Sequence, residues 1–144
     1  MLNFKVDGKP KPKQSFRYSR FGSYTSKDVK DYARHIQACF YKEYPKWLPS
    51  MFHEKPLKVE IDVFMQVPKT ASKKRQQAML VHDIRPLKRP DIDNISKNIL
   101  DSLNGIVYAD DKQIVSLLVS KAYAEEDYIF ITISEVQNGY RAYK

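Results

Sequence analysis

Residues 91–111 read D-I-D-N-I-S-K-N-I-L-D-S-L-N-G-I-V-Y-A-D-D. Ile92, Ile95, Ile99 and Leu103 recur at three- and four-residue spacing, the mark of a helix with one apolar stripe. Pro90 precedes it and Gly105 follows as a C-capping glycine, so the spacing predicts a helix over about 94–104 and then a return segment. The stretch also holds Asp91, Asp93, Asp101, Asp110 and Asp111, five of the chain's 17 acidic residues. The surrounding protein is basic, with 25 Lys plus Arg and a formal net charge of +8.

Leu57–Val67 (LKVEIDVFMQV) alternates apolar and polar, with Leu57, Val59, Ile61, Val63 and Met65 on one side, and predicts a strand that Pro68 stops. Leu2–Val6 alternates in the same way. Residues 13–26 read as a basic, aromatic loop. Ser26 is a candidate cap for a helix from Lys27, whose apolar face is Val29, Tyr32, Ala33, Ile36 and Phe40, and Pro45 and Pro49 mark its end. Residues 70–80 fit a short helix or a mobile basic arm, and 82–90, with two prolines, fit a loop. Residues 113–123 and 128–136, joined by A-E-E-D, carry the signature of a β-hairpin. The order β-α-β-(α)-α-β-β is that of an α+β domain with a mixed or antiparallel sheet packed with helices.

A chain of 144 residues fits one domain spanning 1–144. At 42% hydrophobic and 29% charged it has the composition of a soluble protein. Its single cysteine, Cys39, excludes an intramolecular disulfide and a cysteine-based zinc site. The thiol lies at the edge of an apolar helix face, as a core residue does. The first residues lack the apolar stretch of a secretory signal, and no run approaches membrane-spanning length, so a cytoplasmic location is expected.

A basic protein attracts polyanions. Carboxylates clustered within it suit a divalent cation, which binds oxygen ligands. Asp91 and Asp93 converge on one ion if the backbone there is extended. A helix over 94–104 spans about 16 Å. The extended return from Gly105 covers roughly 20 Å, enough to bring Asp111 back beside them. Lys97 lies one turn after Asp93, placed either for an i,i+4 ion pair or for charge developing on a scissile phosphate. The competing reading is that these aspartates are helix caps and turn residues. Asp110 reads as a turn residue and Asp101 as a partner of Lys97 or a solvent-facing side chain.

P-D-I-D-N-I-S-K-N-I-L-D-S-L-N-G, followed by Y-A-D-D-K-Q-I-V, resembles the signature of RusA-type Holliday-junction resolvases. The resemblance covers residues 89–121 closely and the rest loosely. It implies a small Mg²⁺-dependent endonuclease (Mn²⁺ being the alternative ion), a homodimer of the kind found in phages and prophages. It further implies a four-way DNA junction as substrate, with Asp91, Asp93 and Asp111 as metal-binding catalytic carboxylates and Lys97 as the catalytic lysine. Departures in length, at 42–56 and 69–88, bear on junction selectivity more than on the chemistry.

Three basic stretches flank the motif, and their expected DNA contacts are Lys13, Arg17 and Arg20, then Lys73, Lys74 and Arg75, then Lys88 and Arg89. Phe16, Tyr18, Phe21 and Tyr24 interleave with Arg17 and Arg20, and stacking on exposed bases or packing over the first helix are both open to them. A four-way junction needs two symmetric nicks and this chain has one acidic constellation, so a C2 dimer is expected. The rival from another class is a non-catalytic nucleic-acid-binding module, which would bind without metal and never nick.

Overall fold

The structure is a computed structural model, described here for residues 1–11, 17–20, 22–24 and 27–137, with backbone only at 17–19 and 22–24. The elements are β1 (Leu2–Asp7), β2 (Arg17–Ser19), β3 (Gly22–Tyr24), α1 (Lys27–Glu43), β4 (Leu57–Gln66), α2 (Lys73–Leu80), α3 (Ile92–Leu103), β5 (Ile114–Ala124) and β6 (Tyr128–Glu135). Short 3-10 helices at Pro49–Phe52 and Asp111–Gln113 precede β4 and β5.

β4 owes its central place to the alternation read in its sequence. Leu57, Val59, Ile61, Val63 and Met65 are all buried on one face. Each contributes roughly 1.5–3 kcal/mol of transfer free energy when fully removed from water. A strand this apolar gains most when flanked on both edges, and the four-stranded sheet has the order β1-β6-β4-β5. β4 pairs antiparallel with β6 and parallel with β5, and β6 pairs antiparallel with β1. The sheet is therefore mixed, as expected of this α+β domain.

The expected hairpin between the last two strands is not formed. β5 and β6 are separated by β4, and residues 125–127 carry the chain across its end, a span of about 10 Å. Asp127 stitches this crossing: its carboxylate accepts from Gln66 N at 2.9 Å and its carbonyl accepts from Gly8 N at 3.2 Å. A second difference lies in the basic loop, where β2 and β3 form a small antiparallel ribbon pairing Arg17 with Tyr24. Residues 70–80 resolve in favour of the helix, α2.

Helices α1 and α3 cover the apolar face of the sheet. Val29, Tyr32, Ile36 and Phe40 of α1 are buried, and Phe40 meets Phe4 of β1 edge-on, with ring centroids 5.3 Å apart. Cys39 packs against this core, as its position in the sequence suggested. Gln37 of α1 donates to Ser102 O of α3 at 2.9 Å, and Asn98 of α3 donates to Lys11 O at 2.9 Å. In α3, Ile95, Ile99 and Leu103 are fully buried, but Ile92 is 41% exposed and does not complete the stripe. No helix among the described residues is long and apolar enough to cross a membrane.

Candidate active site

Helix α3 begins earlier than the sequence suggested. Asp91 is its extended N-cap residue, with φ −71 and ψ 143, and the helix proper opens at Ile92 after a cis Arg89-Pro90 bond. Asp93 therefore sits in the first helical turn instead of an extended segment. The strand-like alternation expected to converge Asp91 and Asp93 is absent, because positions two apart on a helix face different directions. Both residues still crowd the same helix end, where the macrodipole favours negative charge.

The cap position is occupied but the cap is not made. Asp91 forms no side-chain capping bond; its carboxylate only accepts from Asn94 Nδ2 at 3.5 Å, a marginal contact. The Asp93 carboxylate and the Lys97 ammonium have no ion-pair or hydrogen-bond partner among the described residues, and both side chains are exposed. The simple i,i+4 pair between them is thus not formed.

Asp110 behaves differently. Its carboxylate accepts from Lys112 N at 2.9 Å and caps the 3-10 helix, while Gln113 reaches back in a capping box. The backbone N–H of Lys112, with lesser help from its ammonium and from Asp111, holds the Asp110 carboxyl below the usual carboxylate range. Asp110 is the structural aspartate of this group, as a turn residue should be. Asp111 beside it is exposed. Asp111 and Asp101 both act on the buried Tyr108, whose hydroxyl donates to Leu100 O at 2.7 Å. Burial first, and then these two negative charges, push the Tyr108 phenol well above its usual range.

Carboxylate oxygens are the donors a hard divalent cation takes, and Mg²⁺ commonly uses one or two of them and fills its shell with water and phosphate oxygens. Asp91 and Asp93 at the helix end, and Asp111 at the head of β5, have that donor chemistry and exposure. Among the described residues, no three His, Cys, Asp or Glu side chains gather closely enough to hold a metal by themselves. Asp91, Asp93 and Asp111 are therefore not gathered into one three-carboxylate cluster among the described residues.

The expected DNA-contacting residues fall on several elements. Lys73, Lys74 and Arg75 are exposed in the first turn of α2, which contains no acidic residue. Three cations at the positive end of a helix work against its dipole. Ser72 offsets this by accepting from Arg75 N at 3.3 Å. Lys88 and Arg89 are exposed just before Asp91, and Arg20 is exposed in the β2–β3 turn. Only the backbone of Arg17 is described, and Lys13, Phe16, Phe21 and Ser26 lie outside the described residues.

Two residues that build this site were not singled out in the sequence. Lys121 of β5 donates to Lys88 O at 2.8 Å and Pro90 O at 3.2 Å, while Arg85 donates to Lys121 O at 3.1 Å. The segment leading into Asp91 is thereby fastened to the sheet. Gln113 fastens the segment carrying Asp111, and Asp110 to Gln113 has the capping-box spacing that would have flagged it. Replacing Lys121 with Met keeps the aliphatic stem and removes both donated bonds. Lys121→Met is expected to cost about 1–3 kcal/mol, read as a lowered unfolding midpoint in urea. An unchanged midpoint would show that the staple carries no weight.

A family model described as endodeoxyribonuclease RusA matches residues 7–134 of this sequence. The chain belongs to the RusA family. That match spans β4, β5, all of β6 but Glu135, and the whole of α3 with its flanking aspartates, and meets β1 only at Asp7. Within the comparison to curated proteins, the uncharacterized protein YqaN of Bacillus subtilis (strain 168) is 39% identical over 83 residues, covering 56% of this chain and 58% of YqaN. The chain therefore aligns with little more than half of that relative's length.

Proposed function

We propose that this RusA-family chain is a divalent-metal-dependent endonuclease that resolves four-way DNA junctions by phosphodiester hydrolysis, with paired symmetric nicks made by a homodimer. The observation that carries this reading is the opening of α3. Asp91 stands at a cap position with its capping bond unmade, Asp93 and Lys97 are exposed and unpaired among the described residues, and Asp111 is exposed at the head of β5. Residues serving only as caps and turns would resemble Asp110, with its bonds satisfied.

Asp91, Asp93 and Asp111 are the residues that would hold Mg²⁺ or Mn²⁺. When bound, such an ion supplies a hydroxide-generating and charge-neutralising centre for attack at phosphorus. Lys97, one helical turn from Asp93, is placed to donate to a non-bridging phosphate oxygen and steady charge as it builds there. Lys88 and Arg89 precede the start of α3, and Lys73, Lys74 and Arg75 extend the basic surface along α2, where their cost to the helix is understandable if phosphates neutralise them. Lys13, Arg17 and Arg20 complete the proposed DNA contacts. Two copies related by a two-fold axis match a junction's approximate symmetry and place two sites for two nicks.

The deciding experiment is cleavage of synthetic four-way junctions with mapped cut sites, beside flap, linear duplex and single-stranded controls. Nicks at symmetric positions are expected with Mg²⁺ or Mn²⁺ and none in EDTA. Sedimentation should give twice the 16.9 kDa chain mass. Tight binding with no nicking in either metal would favour the non-catalytic binding module, and equal cutting of linear duplex would remove the junction selectivity.

A further inference from the structure

The side-chain amide of Gln113 has all of its hydrogen-bonding positions in use. Its Oε1 accepts from Ala109 N at 3.0 Å and Asp110 N at 3.2 Å. Its Nε2 donates to Phe52 O at 2.5 Å and Lys55 O at 3.2 Å. Two lone pairs and two N–H groups exhaust what a primary amide offers. Glu has the acceptors without the donors, Lys the donors without the acceptors, and Asn is one methylene shorter.

These bonds clamp a specific piece of backbone. Phe52 is buried at the end of the 3-10 helix and lies against Trp47, with ring centroids 5.0 Å apart. Trp47 Nε1 donates to Val107 O at 2.9 Å. The segment returning from α3 is therefore gripped at Val107 by Trp47 and at Ala109 and Asp110 by Gln113, both grips anchored in residues 47–55. Asp110 completes the turn by accepting from Lys112 N. Asp111 lies inside this clamp with its backbone fixed at both sides and its side chain exposed.

We propose that Gln113 is a positioning residue that fixes Asp111 for metal and phosphate binding. The proposal rests on the reading of Asp111 as a ligand. It extends that reading to a residue that touches neither metal nor substrate. Groups that orient ligands from behind commonly change metal affinity or activity by about 10- to 100-fold when lost.

The test uses the full chain with Gln113→Met, which keeps side-chain length and removes every polar contact, and Gln113→Glu, which keeps both acceptors. Tyr44→Phe serves as the structural control, because the Tyr44 hydroxyl donates to Asn3 O and accepts from Asn3 N, remote in sequence from the acidic residues. Amide exchange without metal reads the clamp itself. Exchange at Ala109 and Asp110 is expected to quicken in Gln113→Met, to stay slow in Gln113→Glu, and to be unaltered in Tyr44→Phe. Junction cleavage as a function of Mg²⁺ reads its purpose. The half-saturating Mg²⁺ concentration is expected to rise about tenfold or more in Gln113→Met, with substantial recovery in Gln113→Glu and no change in Tyr44→Phe, while metal-free junction binding stays equal in all four proteins.

A wild-type protein that cuts, with Gln113→Met sharing its Mg²⁺ dependence, would overturn the positioning role alone. So would loss of thermal stability in Gln113→Met with no change in exchange at Ala109 and Asp110. Should Gln113→Met not fold, a Gln113→Glu protein with fast exchange at those two amides would also overturn it. A wild-type protein that fails to cut under any Mg²⁺ concentration would instead remove the nuclease reading beneath it.

Discussion

Asp91→Asn is expected to abolish junction cleavage and to leave junction binding intact or stronger. The exchange removes one negative charge and one good metal ligand at almost constant volume. Because the Asp91 side chain makes no capping bond, no helix-stabilising contact goes with it. Loss of transition-state stabilisation from a single well-placed group is commonly about a hundredfold or more. Any gain in binding would come from removing a negative charge that repels DNA phosphates. The companion substitution Asp110→Asn separates chemistry from scaffolding: asparagine caps as well as aspartate, so cleavage should stay near the wild-type rate. Gel-shift and single-turnover cleavage on the same junction read both quantities. Undiminished cutting by Asp91→Asn would remove Asp91 from the catalytic group.

The second large effect is on the platform. Ile99→Ala in α3 deletes a fully buried side chain midway between the aspartate-bearing helix start and Tyr108. Such truncations cost about 2–5 kcal/mol, part transfer and part cavity. For a chain of this size that corresponds to a fall in melting temperature of roughly 6–20 °C. Cleavage below the new transition should persist, since Ile99 holds the helix and touches none of its exposed aspartates. A melting temperature within about 2 °C of wild type would mean that the α3 stripe is not the anchor described above.

Much of this architecture was legible in the amino-acid sequence, for a physical reason. The alternation of Leu57 to Met65 and the stripe of Ile92, Ile95, Ile99 and Leu103 are one-dimensional records of burial, and both faces are buried as read except at Ile92. Period says which face a residue takes but not which strand lies beside it. The neighbours of β5 and β6 were therefore misread: a three-residue tether suits a hairpin, yet here it passes over the end of β4. The start of α3 was displaced for a related reason. Asp suits a cap as well as an extended residue, and the local sequence left both readings of Asp91 open.

The acidic constellation was visible as residue types, in a chain whose family the match gives as endodeoxyribonuclease RusA. Its supports were largely hidden. Lys121 reaches Lys88 and Pro90 across the fold, and a lone lysine in a strand leaves no pattern to read. Gln113 left a faint one in its capping-box spacing, but its bonds to Phe52 and Lys55 are long-range. Polar contacts between distant segments obey geometry that no short window of sequence contains.

β5 carries one fastening at each end: Gln113 just before it grips the segment of Asp111, and Lys121 near its close grips the segment of Asp91. The strand thus works as a ruler whose length is part of the design. Insertions in the stretch between β4 and α2 change a connection, whereas the crossing at 125–127 is itself held by Asp127. A single residue added or removed between Gln113 and Lys121 would shift one grip against the other and turn alternate side chains to the wrong face. Among natural variants of this sequence, loop lengths should drift while the interval from Gln113 to Lys121 stays constant.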